Sequence, residues 1–139
     1  MPRTLTFDIV YRYPENSKGI TIPVTLISPY GTYRAAAKAD TGAEVCLFSN
    51  DAGLQLGLEV ERGLPKTLVT PGGTEIESFG HEVTIQTLGI TLTSVVYFAK
   101  YAGINRNFLG RVGWLRNLRF CVVDSPLADY SRSRSKRRL

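Results

Sequence analysis

The sequence predicts an all-β domain, because strand-like stretches recur along the chain and turn residues separate them. β-Branched and aromatic residues recur at nearly every second position in these stretches, and a turn follows every eight to twelve residues or so. The length of 139 residues suits one domain, and a hydrophobic share of 43% is typical of a globular chain. Many short strands at this spacing are typical of a barrel or a sandwich. No apolar run approaches the roughly 20 residues of a membrane helix.

Four strands are predicted in the first third of the chain. Each has the composition of a strand, and clusters such as PENSKG and PYGT separate them as turns. Pro23 lies inside the second strand, which indicates a sheet edge or a bulge, because proline donates no hydrogen bond. The predicted strands cover residues 4–13, 20–28, 33–39 and 45–48.

The remainder of the chain is predicted to contain two short helical segments and further strands. Ser49 and Asn50 are typical helix-capping residues, and the two glycines that follow predict a short helix over residues 51–58. Strand-like stretches flank Pro71-Gly72-Gly73-Thr74, which is typical of a hairpin tip. A segment of one or two helical turns is predicted over residues 110–117. The predicted strands cover residues 66–70, 75–88, 90–99, 104–109 and 118–124.

The net charge of +5 belongs to the C-terminus. Of the 17 basic residues, five lie in the last nine residues, SRSRSKRRL, where there is no acidic residue. Residues 1–130 therefore carry 12 basic and 12 acidic side chains. We expect residues 1–130 to fold as one domain and residues 131–139 to be a disordered basic tail. Such a tail is either a plain solvated terminus or a contact for nucleic acid or another acidic surface.

Several features favour a cytoplasmic protein. The chain has two cysteines, Cys46 and Cys121, which allow one disulfide but do not require it, so two free thiols are the simpler interpretation. The N-terminus carries Asp8 and lacks the smooth apolar stretch of a signal peptide. No Asn-x-Ser/Thr glycosylation site is present.

The stretch ADTGAEVCLF, residues 39–48, carries the strongest chemical signal. Asp40-Thr41-Gly42 alone is typical of a turn at the end of a strand. Its context is more specific, because Ala43 follows the tripeptide and an apolar strand resumes at once. About seventy residues later comes the sequence NFLGR, residues 107–111, before a predicted helix and a last strand. The glycine-tipped hairpin lies between these two elements.

This order of elements resembles the retropepsin-like aspartic proteases, a family of single-domain proteins that includes the retroviral proteases. The resemblance covers residues 19–124, roughly, and rests on the order of Asp40-Thr41-Gly42-Ala43, the hairpin and Leu109-Gly110-Arg111. It implies a small closed β-barrel with one short helix in its C-terminal half. It also implies a homodimer that hydrolyses peptide bonds.

The resemblance assigns roles to the residues of the first motif. Asp40 would be the catalytic carboxylate, and Thr41 would donate its hydroxyl across the dimer to brace the two loops. Gly42 would offer backbone groups to the substrate, and Ala43 would lie under the loop.

The later elements also acquire roles from the resemblance. The hairpin tip Pro71, Gly72 and Gly73 would form a flap over the substrate. Leu109 and Gly110 would support the catalytic loop from beside it. Arg111 would pair with Glu44, which follows the first motif.

Three features depart from the family pattern. Lys38 stands where relatives carry an apolar residue, which indicates either a charge at the rim of the site or a local irregularity. Cys46 stands where relatives often have serine or threonine. The hairpin tip is short, so the residue that would close over the substrate is not defined.

The chemistry requires a second copy of the chain. Hydrolysis by this route uses one ionised and one protonated carboxyl group around a water molecule. Of the five aspartates, only Asp40 lies in the motif, so a two-fold axis must bring it to its own copy. Residues 118–123 and the N-terminal strand are candidates for the dimer interface. The substrate would be an extended polypeptide, held like an added strand.

Side chains for apolar substrate pockets can be named, although two of them also fit the protein core. These candidates are Phe48, Val69, Phe79 and Phe108, and we expect Phe48 and Phe108 to belong to the core.

Other chemistries have little support, and we expect neither a metal nor a cofactor. His81 is the sole histidine and has no neighbours at metal-ligand spacing. No serine-hydrolase motif or phosphate-binding loop is present. A nucleophilic pair of Cys46 or Cys121 with His81 stays a minor alternative. The two larger alternatives are a peptide-binding or dimerisation module without turnover, and a small barrel that binds nucleic acid through its basic tail.

Overall fold

A computed structural model describes residues 4, 6–14 and 19–122, and most of its regular structure is β-strand. The all-β prediction is confirmed. The seven strands are β1 (Thr21–Ser28), β2 (Gly31–Ala39), β3 (Leu47–Phe48), β4 (Leu64–Val69), β5 (Glu75–Thr87), β6 (Ile90–Ala99) and β7 (Phe108–Leu109). One α-helix, α1 (Asn50–Gln55), and two 3₁₀ turns, Val60–Arg62 and Leu115–Asn117, complete the regular structure of these residues.

The strands form one sheet in the order β1-β2-β7-β3-β6-β5-β4, and β1 also pairs with β5 through Thr25–Ile27. The neighbouring pairs β1–β2, β4–β5 and β5–β6 are antiparallel hairpins. Pro23 lies in the part of β1 that pairs with β2 alone, as the prediction of an edge position requires. The closed barrel and the homodimer stay predictions.

The core lies between the strands and α1 because the strands alternate buried and exposed side chains. On β5, for example, Val83, Ile85 and Thr87 are buried while the intervening residues reach solvent. The largest fully buried side chains are Trp114, Phe48, Phe98, Leu26, Leu56, Ile85 and Leu109. Elements from both halves of the chain therefore share one core.

Helix α1 begins at the predicted cap. The Ser49 Oγ accepts a hydrogen bond from the Ala52 N–H at 3.2 Å, which satisfies one of the unpaired donors of the first turn. The helix ends at Gln55, and Gly57 follows with a φ of +75°, a left-handed conformation that glycine adopts without strain. The short helix is confirmed, although it ends earlier than residue 58.

The hairpin of β4 and β5 is also confirmed. Its last strand pair is Val69 with Glu75, and the Thr70 N–H then donates to the Thr74 carbonyl at 2.9 Å. The Gly73 N–H donates to the Thr70 carbonyl at 2.9 Å, and Gly73 has a φ of +85°. The tip therefore needs a glycine at this position.

Two predicted terminal strands are wrong for the residues that the structure describes. Residues 6–14 and 118–122 contain no strand, although their sequences have the required composition. A strand forms only where its backbone can pair with the edge of another strand, and the sheet of the described chain does not include these segments. Residues 123–124 and the tail, 131–139, lie outside the described residues.

The predicted helix of the C-terminal half is wrong in length and type. Only the 3₁₀ turn Leu115–Asn117 forms within residues 110–117, and the α-helix lies in the first half of the chain. Val112 pairs with Val45 in a parallel bridge, and Gly113 has a φ of +103°. The backbone at Val112 and Gly113 therefore lacks the helical conformation, so residues 110–117 do not form an α-helix.

Candidate active site

The Asp40 loop, residues 40–46, connects two strands that do not pair with each other. Strand β7 lies between them, parallel to β2 and antiparallel to β3. Ala39 pairs with Leu109, and Leu47 pairs with Phe108. The two arms of the loop are therefore held apart by a strand that lies about seventy residues away in the sequence.

The Asp40 carboxylate is oriented by its own turn. Its Oδ1 accepts a hydrogen bond from the Gly42 N–H at 2.9 Å, and the Asp40 carbonyl accepts one from the Ala43 N–H at 3.2 Å. The Asp40 N–H donates to the Leu109 carbonyl at 3.0 Å. The side chain is half-buried, and no hydrogen bond from the described residues reaches Oδ2. One carboxylate oxygen is thus available to a ligand or a second copy.

The segment after β7 lies beside the Asp40 loop. The Arg111 N–H donates to the Ala43 carbonyl at 2.9 Å, and the Val112 N–H donates to the Glu44 carbonyl at 2.8 Å. A Cβ atom added at Gly110 would overlap the Val45 carbonyl oxygen and lie 2.8 Å from the Ala43 oxygen. Only glycine allows the two backbones to approach this closely. Leu109, Gly110 and Arg111 therefore meet the Asp40 loop.

No ion pair joins the side chains of Glu44 and Arg111 among the described residues. The Glu44 Oε1 instead lies 3.5 Å from the Nζ of Lys66 on β4, and Arg111 has no ion pair with any described residue. The two residues meet through the backbone ladder, while the Glu44 carboxylate is directed towards the hairpin. The sequence did not predict Lys66 as the partner of Glu44, because only the register of β4 on β5 brings the two side chains together. An exposed pair of this kind contributes at most about 1 kcal/mol.

Thr41 and Gly42 are exposed at the tip of the loop. Within the described part of the chain, no hydrogen bond involves the Thr41 hydroxyl. It is therefore free to bond outside its own chain. Ala43 is half-buried, so it lies further under the loop.

Lys38 causes no irregularity in β2. It pairs with Thr21 on one side and with Phe108 on the other. Its side chain is half-buried against Gly19, where an added Cβ would lie 2.7 Å from the Lys38 Cε.

The tip of the hairpin is open. Pro71, Gly72 and Gly73 are all exposed, and a Cβ at Gly73 would meet no atom within 4 Å. A groove of about 350 Å³ lies between this hairpin and residues 101–104, with Thr67, Glu75, Ile76, Glu77, Tyr101 and Ile104 around it. A larger groove of about 820 Å³ lies along β1, β2 and residues 86–91, and no residue of the Asp40 loop lines it.

The four pocket candidates separate by burial. Phe48 is fully buried in the core and lines no surface, and Phe79 packs partly against the same core. Phe108 is half-buried, whereas Val69 is 65% exposed near the hairpin tip. Among the four candidates, Val69 therefore has the side chain most accessible to a substrate.

The cysteine–histidine alternative has no geometric support. The Cys46 Sγ accepts a hydrogen bond from the Gly110 N–H at 3.4 Å, whereas the His81 Nε2 lies 2.8 Å from the Val60 carbonyl oxygen. Cys121 is exposed. Residues 4, 6–14 and 19–122 contain no group of three acidic, histidine or cysteine residues placed to bind a metal ion. None of the helices in these ranges has the length and apolarity needed to cross a membrane.

Burial raises the pKa of the Cys46 thiol from 9.0 to about 11. The hydrogen bond from the Gly110 N–H lowers this pKa and offsets part of the effect of burial. The unfolded chain therefore loses this proton first as the pH rises. The free energy of unfolding should fall by about 1.4 kcal/mol per pH unit between pH 9 and pH 11 from this thiol alone. Denaturant titrations of the wild type and Cys46→Val measure the difference between the two proteins. A difference that does not change over this range would contradict the burial of the thiol.

No protein-family model and no curated protein matches this sequence. Comparison with solved structures finds the EIAV protease complexed with the inhibitor HBY-793, at a TM-score of 0.53 and 22% sequence identity. The match covers 74% of this chain and 88% of the EIAV chain. The chain has a retropepsin-like fold. This similarity concerns the fold, and the conclusions on chemistry below depend on the Asp40 loop of this chain.

Proposed function

We propose that this protein is an aspartic endopeptidase that works as a homodimer, with Asp40 of each copy as the catalytic carboxylate. The observation that carries the proposal is the Asp40 turn itself. Within a retropepsin-like fold, the turn directs one carboxylate oxygen to the Gly42 N–H, and backbone bonds to Leu109 and from Arg111 hold it. A simple chain reversal joins two strands that pair with each other, whereas here β7 lies between the two strands that the Asp40 loop connects.

The chemistry follows from two carboxyl groups that share one proton. Two carboxylates about 3 Å apart repel each other, so the second ionises much less readily than the first. The ionised Asp40 takes a proton from a water molecule, whose oxygen attacks the peptide carbonyl carbon. The protonated Asp40 of the other copy donates a hydrogen bond to the carbonyl oxygen. Proton transfer to the amide nitrogen then allows the C–N bond to break and leaves a free acid and a free amine.

Surface features of the described chain favour a dimer. The Thr41 hydroxyl has no partner within it, and the segments 6–14 and 118–122 expose apolar side chains without forming strands. In a dimer these segments would pair as strands with the second copy, and they would bury that apolar surface. The exposed side chains are Ile9, Val10, Tyr11, Phe120 and Val122.

The substrate would be an extended polypeptide that lies between the Asp40 loop and the hairpin of β4 and β5. Gly42 and the hairpin tip expose backbone groups that can bind another main chain in the manner of an added strand. Val69 and the half-buried Phe108 would contact its side chains.

A test of this proposal measures cleavage of a reduced and alkylated carrier protein at a series of enzyme concentrations and pH values. The specific activity should fall on dilution, because the site exists only in the dimer. The rate should also rise and then fall with pH, because one carboxyl must be ionised while the other keeps its proton. A specific activity independent of concentration, together with a flat profile between about pH 4 and pH 9, would refute the proposal. Peptide binding without cleavage would instead indicate a module that has the fold but no turnover.

A further inference from the structure

We infer that Asn107 and Cys46 are positioning residues for Asp40, which act by fixing the two ends of β7. This inference deepens the proposed peptidase function and rests on it. Neither residue belongs to Asp40-Thr41-Gly42, the tripeptide that carries the chemistry. Each makes hydrogen bonds that join β7 or the turn after it to the arms of the Asp40 loop.

Asn107 lies at the start of β7 and links the strands on either side of it. Its Oδ1 accepts a hydrogen bond from the Ser49 N–H at 3.2 Å, and its Nδ2 donates to the Ala36 carbonyl at 3.4 Å. Its backbone carbonyl also accepts from the Lys38 N–H at 2.8 Å. Ala36 is in β2, which enters the Asp40 loop, and Ser49 follows β3, which leaves it. One side chain therefore spans the base of the loop.

Cys46 acts at the other end of β7. Its Sγ accepts a hydrogen bond from the Gly110 N–H at 3.4 Å, and its carbonyl accepts one from the Tyr97 N–H at 2.9 Å. Both Cys46 and Gly110 are buried, and the Gly110 N–H has no other acceptor among the described residues. A buried N–H without an acceptor is costly, so the sulfur atom holds the close approach that Gly110 permits.

These contacts matter for catalysis because Asp40 is bonded to the strand that they hold. The Asp40 N–H donates to the carbonyl of Leu109, which lies between Asn107 and Gly110. A shift of β7 therefore moves the carboxylate. In a dimer this shift occurs in both copies and changes the spacing of the two carboxylates. A displacement of about 1 Å in a reacting group is enough to lower a rate by about a hundredfold.

The kinetic test compares variants that remove these bonds with matched variants that keep them or lie elsewhere. Asn107→Leu and Cys46→Val should each lower kcat by about tenfold or more and change KM by less than about threefold. The flanks of the pH profile should also move closer together, because more distant carboxylates interact less. Asn117→Leu makes the same substitution at an exposed site, and Cys46→Ser keeps an acceptor; both should stay within about threefold of the wild-type kcat. A wild-type kcat in Asn107→Leu and Cys46→Val would overturn the inference.

A second measurement does not depend on peptidase activity. Amide hydrogen exchange should become about tenfold faster at Ser49 in Asn107→Leu and at Gly110 in Cys46→Val. Unchanged exchange at these amides would overturn the inference, even if the peptidase proposal had failed for other reasons. If Asn107→Leu does not fold, Asn107→Asp keeps an acceptor for the Ser49 N–H and replaces the donor to Ala36 with a carboxylate oxygen. That variant should lower kcat by about fivefold or more, and a kcat within the roughly threefold range of the control variants would count against the role of Asn107.

Discussion

Replacement of Asp40 by asparagine is expected to lower the rate of peptide cleavage by about a thousandfold, because neither copy then has a group that can take a proton from water. The asparagine Oδ1 can still accept the hydrogen bond of the Gly42 N–H, so the turn should be preserved. The loss should therefore appear in kcat while the stability and the dimer are retained. Cleavage assays and denaturant titrations of the same preparation measure the two quantities.

A matched control and a mixing experiment make this result specific. Asp51→Asn changes an exposed aspartate of α1, whose Oδ2 accepts from the Gln55 Nε2 at 2.6 Å, and should leave cleavage intact. Mixing the wild type with an excess of Asp40→Asn should reduce the wild-type activity, because mixed dimers hold only one Asp40. Cleavage that survives Asp40→Asn, or wild-type activity that is insensitive to the added variant, would rule out a carboxylate pair.

Gly110→Ala is expected to destabilise the fold by about 3 kcal/mol, at the upper end of the usual range for overpacking. The added methyl group would overlap the Val45 carbonyl and lie 2.8 Å from the Ala43 oxygen, both of which are backbone atoms. Unlike a side chain, the backbone cannot move aside by changing its rotamer. The Asp40 loop must therefore separate from the turn after β7. Denaturant unfolding measures the loss, and the cleavage rate should fall with it.

Gly72→Ala is a suitable control for stability. Gly72 is exposed at the hairpin tip, and the nearest atom to an added Cβ is the Thr70 Oγ1 at 3.9 Å. Its substitution should change the free energy of unfolding by less than about 0.5 kcal/mol. If Gly110→Ala proved as stable as Gly72→Ala, this result would contradict the close approach of the Gly110 backbone to the carbonyl groups of Val45 and Ala43.

Several elements were predictable because a few neighbouring residues determine them. Ser49 caps α1 through a bond to Ala52, three residues away. Gly73 closes the hairpin tip because its left-handed backbone conformation suits glycine. The alternation of apolar residues likewise predicts β1, β5 and β6. The Asp40 turn is local too, since its carboxylate bonds the N–H of Gly42.

Some strands and side-chain contacts depend on which segments of the chain pair with each other, and amino-acid composition does not specify that pairing. Residues 6–14 and 118–122 have the composition of strands, but none of these residues lies in a strand of the described structure. The Glu44 carboxylate meets Lys66 instead of Arg111, because β4 lies against β5 in a particular register. The stretch NFLGR begins at Asn107, but the sequence does not indicate which groups its side chain binds, because Ala36 and Ser49 lie far from it along the chain.

Local sequence specifies the strand-rich character of this protein, its glycine-tipped hairpin and the Asp-Thr-Gly turn. Each of these follows from backbone preferences and side-chain periodicity over a few residues. The position of β7 between the arms of the Asp40 loop, and the side-chain hydrogen bonds of Asn107 and Cys46, arise only in the folded sheet. Pairing between distant segments depends on the packing and hydrogen bonding of the whole sheet, which no short stretch of sequence specifies.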